Sequence, residues 1–204
     1  MARWEPNASE RLQEAALGLF RERGYDRTTV EEIAARAGLT ERTFFRYFSD
    51  KREVLFAGAK ALEKLVTGAV AGAAANVAPL DAVAAAFEAT APLFETRRPY
   101  ARERQALVLA HPELQERELI KLAALAAAVT ESLEKRGLGK TRAGLVAEAG
   151  IAIFKHAFER WLDDAKKRDL AHHVRAVLSE LRHVTAAPAA RTTARRATRR
   201  RSTA

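Results

Sequence analysis

The residues best suited to do chemistry in this chain lie in one short run, Thr40-Glu41-Arg42-Thr43-Phe44-Phe45-Arg46-Tyr47-Phe48. Wound as a helix, Phe44, Phe48 and Phe45 fall at about 40°, 80° and 140° from Thr40, while Arg42, Arg46, Thr43 and Tyr47 fall at about 200°, 240°, 300° and 340°. One arc is aromatic. The opposite arc carries two guanidinium groups, a hydroxyl beside a methyl, and a phenol. These groups suit base-pair edges in the major groove, because Arg donates bidentately to guanine and a Thr methyl packs on the thymine methyl. A helix this short is not stable alone. Its aromatic arc, Phe45 included, is therefore expected to pack inward and leave the arginine arc outside.

The flanking elements must hold that arc in place. Leu12, Ala15, Ala16, Leu19 and Phe20 repeat at helical spacing, and Gly24 closes that helix. Val30, Ile33, Ala34 and Ala37 form a second stripe, opened by Thr29 and Glu32 in capping-box register. Gly38-Leu39 makes the turn and Thr40 caps the third helix, so the segment reads as a helix-turn-helix. Asp50 and Glu53 stand in the same capping register and predict a fourth helix over about 51–75. Phosphate contacts are expected from the motif's edges: Thr29, Tyr47 and Lys51.

Beyond this segment, Pro79, Pro99 and Pro112 sit where helices start, and Pro92 should kink or end the helix containing it. The remaining helices are expected over 80–95, 99–110, 112–136, 142–164 and 167–184. The fold class is therefore all-α with about nine helices. The penultimate helix is apolar on most faces, so it is buried in a core or in a subunit interface. Phe158, Trp161 and Leu162, with the stripe Leu170, Val174, Val177, Leu178 and Leu181, are expected to form a two-fold helical interface. Packing within one subunit is the alternative. A two-fold operator with half-sites about 34–36 Å apart favours the dimer.

Charge and composition narrow the function. The 204 residues carry a net charge of +9, but residues 1–57 are neutral and six arginines after residue 184 supply two thirds of the excess. That tail (Arg191 to Arg201, with Pro188) is expected to be disordered, either a solubilising extension or a sequence-blind phosphate-binding arm. There is no cysteine, hence no disulfide, thiolate nucleophile or zinc-thiolate site. His111, His156, His172, His173 and His183 show no metal-binding register, and the adjacent pair His172-His173 is expected on the surface. Gly139-Lys140-Thr141 lacks the glycine and strand of a phosphate loop. No catalytic constellation is visible, so no cofactor, metal or enzymatic activity is expected. With no signal-type N-terminus and no membrane-spanning run, the expected location is the cytoplasm.

The stretch 11–56 resembles one family closely. Phe20, Gly24-Tyr25, Thr28-Thr29-Val30, Ile33-Ala34, Ala37-Gly38-Leu39-Thr40, Thr43-Phe44-Phe45-Arg46-Tyr47-Phe48 and Lys51 are similar to the DNA-binding domain of the tetracycline-repressor (TetR) family. The resemblance implies a homodimeric, effector-responsive DNA-binding regulator, with Thr29, Thr40, Arg42, Thr43, Arg46, Tyr47 and Lys51 at the DNA. It divides the chain into a DNA-binding domain (7–56), an effector-binding and dimerisation domain (57–184) and the tail (185–204). One departure is Phe45, where the family usually has Tyr; core packing is the expected role here.

The run Arg97-Arg98-Pro99-Tyr100 to Arg104, then His111-Pro112-Glu113-Leu114, is similar to the C-terminal domain of regulators that bind acyl-CoA-like ligands. An apolar tunnel could be lined by Phe87, Phe94, Tyr100, Leu107, Leu109, Phe154 and Phe158, with Arg97, Arg98, Arg102 and Arg104 offered to phosphates. Aromatic core and solvated arginines are the alternative. The expected function is a sequence-specific regulator, a repressor released from a palindromic DNA operator by a small apolar or acyl-type effector. Rivals are an effector-independent architectural DNA-binding protein, and a helical enzyme or scaffold whose arginine arc is only a solvated face.

Overall fold

The computed structural model describes residues 8–186 and contains helices only; the Arg-rich tail after residue 186 lies outside the described residues. In chain order the helices are α1 (Ala8–Arg23), α2 (Val30–Arg36), α3 (Glu41–Tyr47), α4 (Ala59–Gly72), α5 (Pro79–Glu88), α6 (Ala91–Glu95), α7 (Arg98–Ala110), α8 (Pro112–Lys135), α9 (Lys140–Asp163) and α10 (Leu170–Thr185). A 3-10 turn, Glu53–Phe56, precedes α4. The extra helix arises at Pro92, which cannot continue α5 and instead occupies the first turn of α6.

The fourth helix is shorter than its pattern suggests. Asp50 does cap the chain there, accepting the backbone N–H groups of Arg52 at 2.8 Å and Glu53 at 3.2 Å. Glu53, however, does not reach back to complete the box. Its carboxylate turns to α8, where it accepts from Arg117 Nε at 2.5 Å and Lys121 Nζ at 2.9 Å. Val54, Leu55 and Phe56 are all buried by the 3-10 turn, and the α-helix begins only after Gly58, a poor helix former.

Two apolar cores result. The first unites α1, α2, α3 and the 3-10 turn around Leu12, Phe20, Ile33, Phe44, Phe48 and Val54. Val108 of α7 and Leu114 of α8 are sunk into it at 0% exposure. The second core packs α4, α5, α8, α9 and α10 around Val83, Phe87, Val129, Leu133, Ile153, Trp161 and Val174. Besides Val108 and Leu114, polar clamps join the halves. Arg104 donates to the Leu55 carbonyl at 3.0 Å and pairs with Glu118 at 2.7 Å, while Arg97 donates to Gln13 at 3.2 Å. At Glu53, burial raises the carboxyl pKa, but hydrogen bonds from Lys121 and Arg117 outweigh it and leave the group below the ordinary glutamate value. The stabilisation from this pair is therefore present at neutral pH and is lost as pH falls through that lowered value.

Helix α9 meets α5 at Gly150, where a Cβ would overlap the Cγ1 of Val83 and touch Phe87 at 3.7 Å. Gly150→Ala should therefore force the two helices apart and cost about 1–3 kcal/mol, the usual penalty of overpacking a core. Thermal unfolding of the variant checks this; an unchanged midpoint would contradict the close approach.

Candidate nucleic-acid interface

Helix α3, the candidate DNA-facing helix, is assembled from the N-terminal motif outward. Thr29 and Glu32 cap α2 reciprocally: Glu32 N–H donates to the Thr29 hydroxyl at 3.2 Å, and Thr29 N–H donates to the Glu32 carboxylate at 3.0 Å. Helix α2 stops at Gly38, whose φ of 65° lies in the left-handed region open to glycine. There Leu39 N–H returns to the Ala34 carbonyl at 2.8 Å and Gly38 N–H to Ala35 at 3.0 Å. Arg11 of α1 also donates to the Ala37 carbonyl. Thr40 then starts α3, its hydroxyl accepting the Thr43 N–H at 3.2 Å and lying 3.1 Å from the Thr43 hydroxyl.

Phe44 and Phe48 anchor α3 in the first core. Arg42 and Arg46 are exposed, Thr43 is half-buried, and Tyr47 is 41% exposed. The Arg46 guanidinium stacks on the Tyr47 ring at 5.1 Å from its centroid. Phe45 departs from expectation. It is 54% exposed and meets Phe44 only edge-on. At about 140° it stands on the border between the two arcs, and Phe44 and Phe48 already fill the space beneath α3. The outward face is thus two arginines and Thr43 flanked by an exposed phenylalanine and a tyrosine.

Lys51 is placed differently from the other cations. Its Nζ donates to three backbone carbonyls, Tyr25 at 2.9 Å, Thr28 at 3.1 Å and Asp26 at 3.2 Å, and sits 4.4 Å from the centroid of the Tyr25 ring. An ammonium has three protons, and all three are used in tying the α1–α2 turn to the segment after α3. The Tyr25 phenol is pushed up to about 12 by burial and then by the Glu113 carboxylate, so it stays neutral.

Residues 12–57 match the family described as bacterial regulatory proteins, tetR family, and residues 77–186 match the MftR C-terminal domain, one of its regulatory-domain types. The chain belongs to the TetR family. It is 26% identical over 156 residues to the protein assigned as the mycofactocin biosynthesis transcriptional regulator MftR of Mycobacterium tuberculosis, covering 75% of this chain and 79% of that one. It is 39% identical over 80 residues to the HTH-type transcriptional regulator TcmR of Streptomyces glaucescens, covering 39% of this chain and 35% of TcmR. The fold is shared with Thermus thermophilus FadR, a TetR-family repressor solved with lauroyl-CoA, at a TM-score of 0.54 and 24% identity over 90% of this chain and 97% of that one. This TetR-family chain is thus a DNA-binding transcriptional regulator, and among its described residues no helix is long and apolar enough to cross a membrane.

In the TetR-type second domain the expected effector residues separate into two groups. Phe87, Phe94, Phe154 and Phe158 join Trp161 in one aromatic cluster with ring centroids 4.8–6.1 Å apart. Tyr100 and Leu107 pack instead on the DNA-binding core, and Leu109 is 66% exposed. The four arginines do not gather. Arg97 lies over the Tyr100 ring, Arg98 over Trp161 with a bond to the Arg168 carbonyl, Arg102 reaches the Leu162 carbonyl, and Arg104 holds Leu55 and Glu118. Each joins α7 to another element, although Arg98 keeps its Nη1 buried without a hydrogen-bond partner among the described residues; side-chain spacing in sequence does not reveal these roles.

The expected interface stripe is likewise largely internal. Trp161, Leu162, Leu170, Val174, Val177 and Leu178 belong to the second core of a single subunit, with Phe158 and Leu181 packed against it. The faces of α9 and α10 left outside carry Leu145 and Val184, both 69% exposed, with Ala152, His156, Ala176 and Ser179. His173 is also inside, 5% exposed and 3.1 Å from Asp164, contrary to the surface expectation. No spacing rule signals that pair, because Asp164 lies in the α9–α10 loop.

Lys51→Met should destabilise the protein by about 1–3 kcal/mol, since it strips a cation from three carbonyls. Chemical denaturation checks this. If stability is unchanged and only DNA affinity falls, Lys51 is a phosphate contact and not a clamp.

Proposed function

We propose that the protein is a homodimeric, sequence-specific repressor that reads a palindromic operator with α3 and is released from it by a small apolar or acyl-type effector. The observation that carries this reading is the outward face of α3, where Arg42 and Arg46 are exposed while Phe44 and Phe48 hold the helix from below. In this reading Arg42, Thr43 and Arg46 meet base edges, and Thr29, Thr40 and Tyr47 meet phosphates from helix starts and the motif's rim. Phe45 offers an apolar surface to deoxyribose or a thymine methyl, in place of the hydroxyl a tyrosine would bring. Lys51 contributes charge near the backbone while remaining clamped. The protein performs no catalysis.

A two-fold operator requires two copies of α3, and the exposed faces of α9 and α10 are the surface assigned to the partner copy. The apolar part of the effector would enter the Phe87–Phe94–Phe154–Phe158 cluster, with lauroyl-CoA in FadR as the precedent for such a ligand in a related fold. The rings fill that space, so binding must part them, and the ligand favours release only as far as it prefers the parted state. The same closed cluster favours a second reading, an effector-independent DNA-binding protein.

Footprinting on the DNA flanking its own gene separates these readings. The native chain should protect a palindrome, and the Arg42→Ala, Arg46→Ala double variant should lose protection by a factor of about 30 or more, given about 1–3 kcal/mol per bidentate contact. Addition of medium- and long-chain acyl-CoAs should lift protection; protection that no such ligand lifts supports the effector-independent reading. Equal, salt-sensitive binding by both proteins would refute the assignment of α3.

A further inference from the structure

A second cluster of chemically capable side chains lies at the joint between the two cores. Asp26 stands in the turn between α1 and α2, His111 at the corner between α7 and α8, and Glu113 in the first turn of α8. One imidazole nitrogen and two carboxylate oxygens, one from each residue, all lie within 4.8 Å of one another. Asp26 is exposed while His111 and Glu113 are half-buried, so the site is reachable from solvent yet walled on one side. The Tyr25 ring packs on the His111 ring at 4.9 Å and fixes the imidazole's place. Lys51, the nearby cation described above, spends its protons on the carbonyls of Tyr25, Asp26 and Thr28. Two carboxylates are thus held close together with an imidazole as their third neighbour.

We propose that Asp26, His111 and Glu113 form a binding site for a divalent transition-metal cation of the zinc class, bridging the DNA-binding domain and the α7–α8 corner. One nitrogen and two oxygen donors suit such a borderline cation better than calcium or magnesium, which take oxygen alone. Metal–ligand bonds of about 2.0–2.2 Å in a tetrahedron place the ligand atoms about 3.4 Å apart. The donor atoms lie within 4.8 Å of one another, so binding draws the three side chains inward, with Asp26 the most exposed of them. Three protein ligands leave the fourth position to water. Because the ligands come from both sides of the joint, the cation binds the docked arrangement better than the parted one and stabilises it by that difference. The site stands independently of what α3 reads.

The test uses the full chain without a histidine tag, stripped with EDTA and titrated with zinc chloride by calorimetry, with thermal unfolding run alongside. One zinc per chain and a raised unfolding midpoint are expected. Asp26→Asn and Glu113→Gln preserve shape, and each should weaken zinc binding at least about tenfold, as His111→Ala should, while His172→Ala leaves it unchanged. Metal-free unfolding midpoints of the variants establish that they are folded. Cobalt in place of zinc should give visible ligand-field absorption that is lost in His111→Ala. No saturable binding, or binding equal in native chain and all three variants, overturns the proposal.

Discussion

The structure depends on one constraint: the DNA-binding domain does not close its own core. Val108 and Leu114, supplied by the α7–α8 corner, occupy positions at 0% exposure within the cluster that also holds Phe44 of α3. Around this apolar plug the polar groups are matched across the joint. Glu53 meets Arg117 and Lys121, and Arg104 meets the Leu55 carbonyl. Leaving any of these half-buried charges without its partner is costly, so the N-terminal motif that carries α3 is held against α7 and α8 and not merely tethered to them. A change in the position of α7 or α8 must be felt at α3, because packed cores switch between arrangements and do not deform continuously.

The same constraint explains how the chain spends its charged residues. Arginines that look in sequence like a phosphate-binding cluster are distributed along α7 as clamps, each bonded to a different helix or loop. Lys51 does the equivalent within the N-terminal motif. On the outer face of α3, Arg42 and Arg46 meet no carboxylate among the described residues, and Arg46 contacts only the Tyr47 hydroxyl and ring. The arginines along α7 that clamp the fold and those on the outer face of α3 are therefore separate sets.

Legibility from sequence followed the range of the interactions. The Thr29–Glu32 capping box, the Gly38 turn, the Thr40 cap and the proline-initiated helices are local, and each was readable from a few adjacent residues. Phe45 is the exception: at about 140° it stands on the border between the two arcs, and Phe44 and Phe48 take the buried positions of this seven-residue helix while Phe45 is 54% exposed. The stripe on α10 was real, but helical periodicity reports only that a face is buried and not whether the same subunit or a partner covers it. Lys51, Glu53, His173 and the Asp26–His111–Glu113 cluster take their roles from residues that only the tertiary fold brings near.

The claim that α7 and α8 orient the reading helix is tested most directly by operator affinity in a double-mutant cycle between Glu53 and Lys121, at fixed salt and neutral pH. Neither residue belongs to the surface assigned to DNA. The account predicts that Glu53→Gln and Lys121→Met each weaken operator binding and that the double variant loses less than the sum, with a coupling of about 0.5–3 kcal/mol. Native affinity in all three variants, with their folds intact, would contradict it.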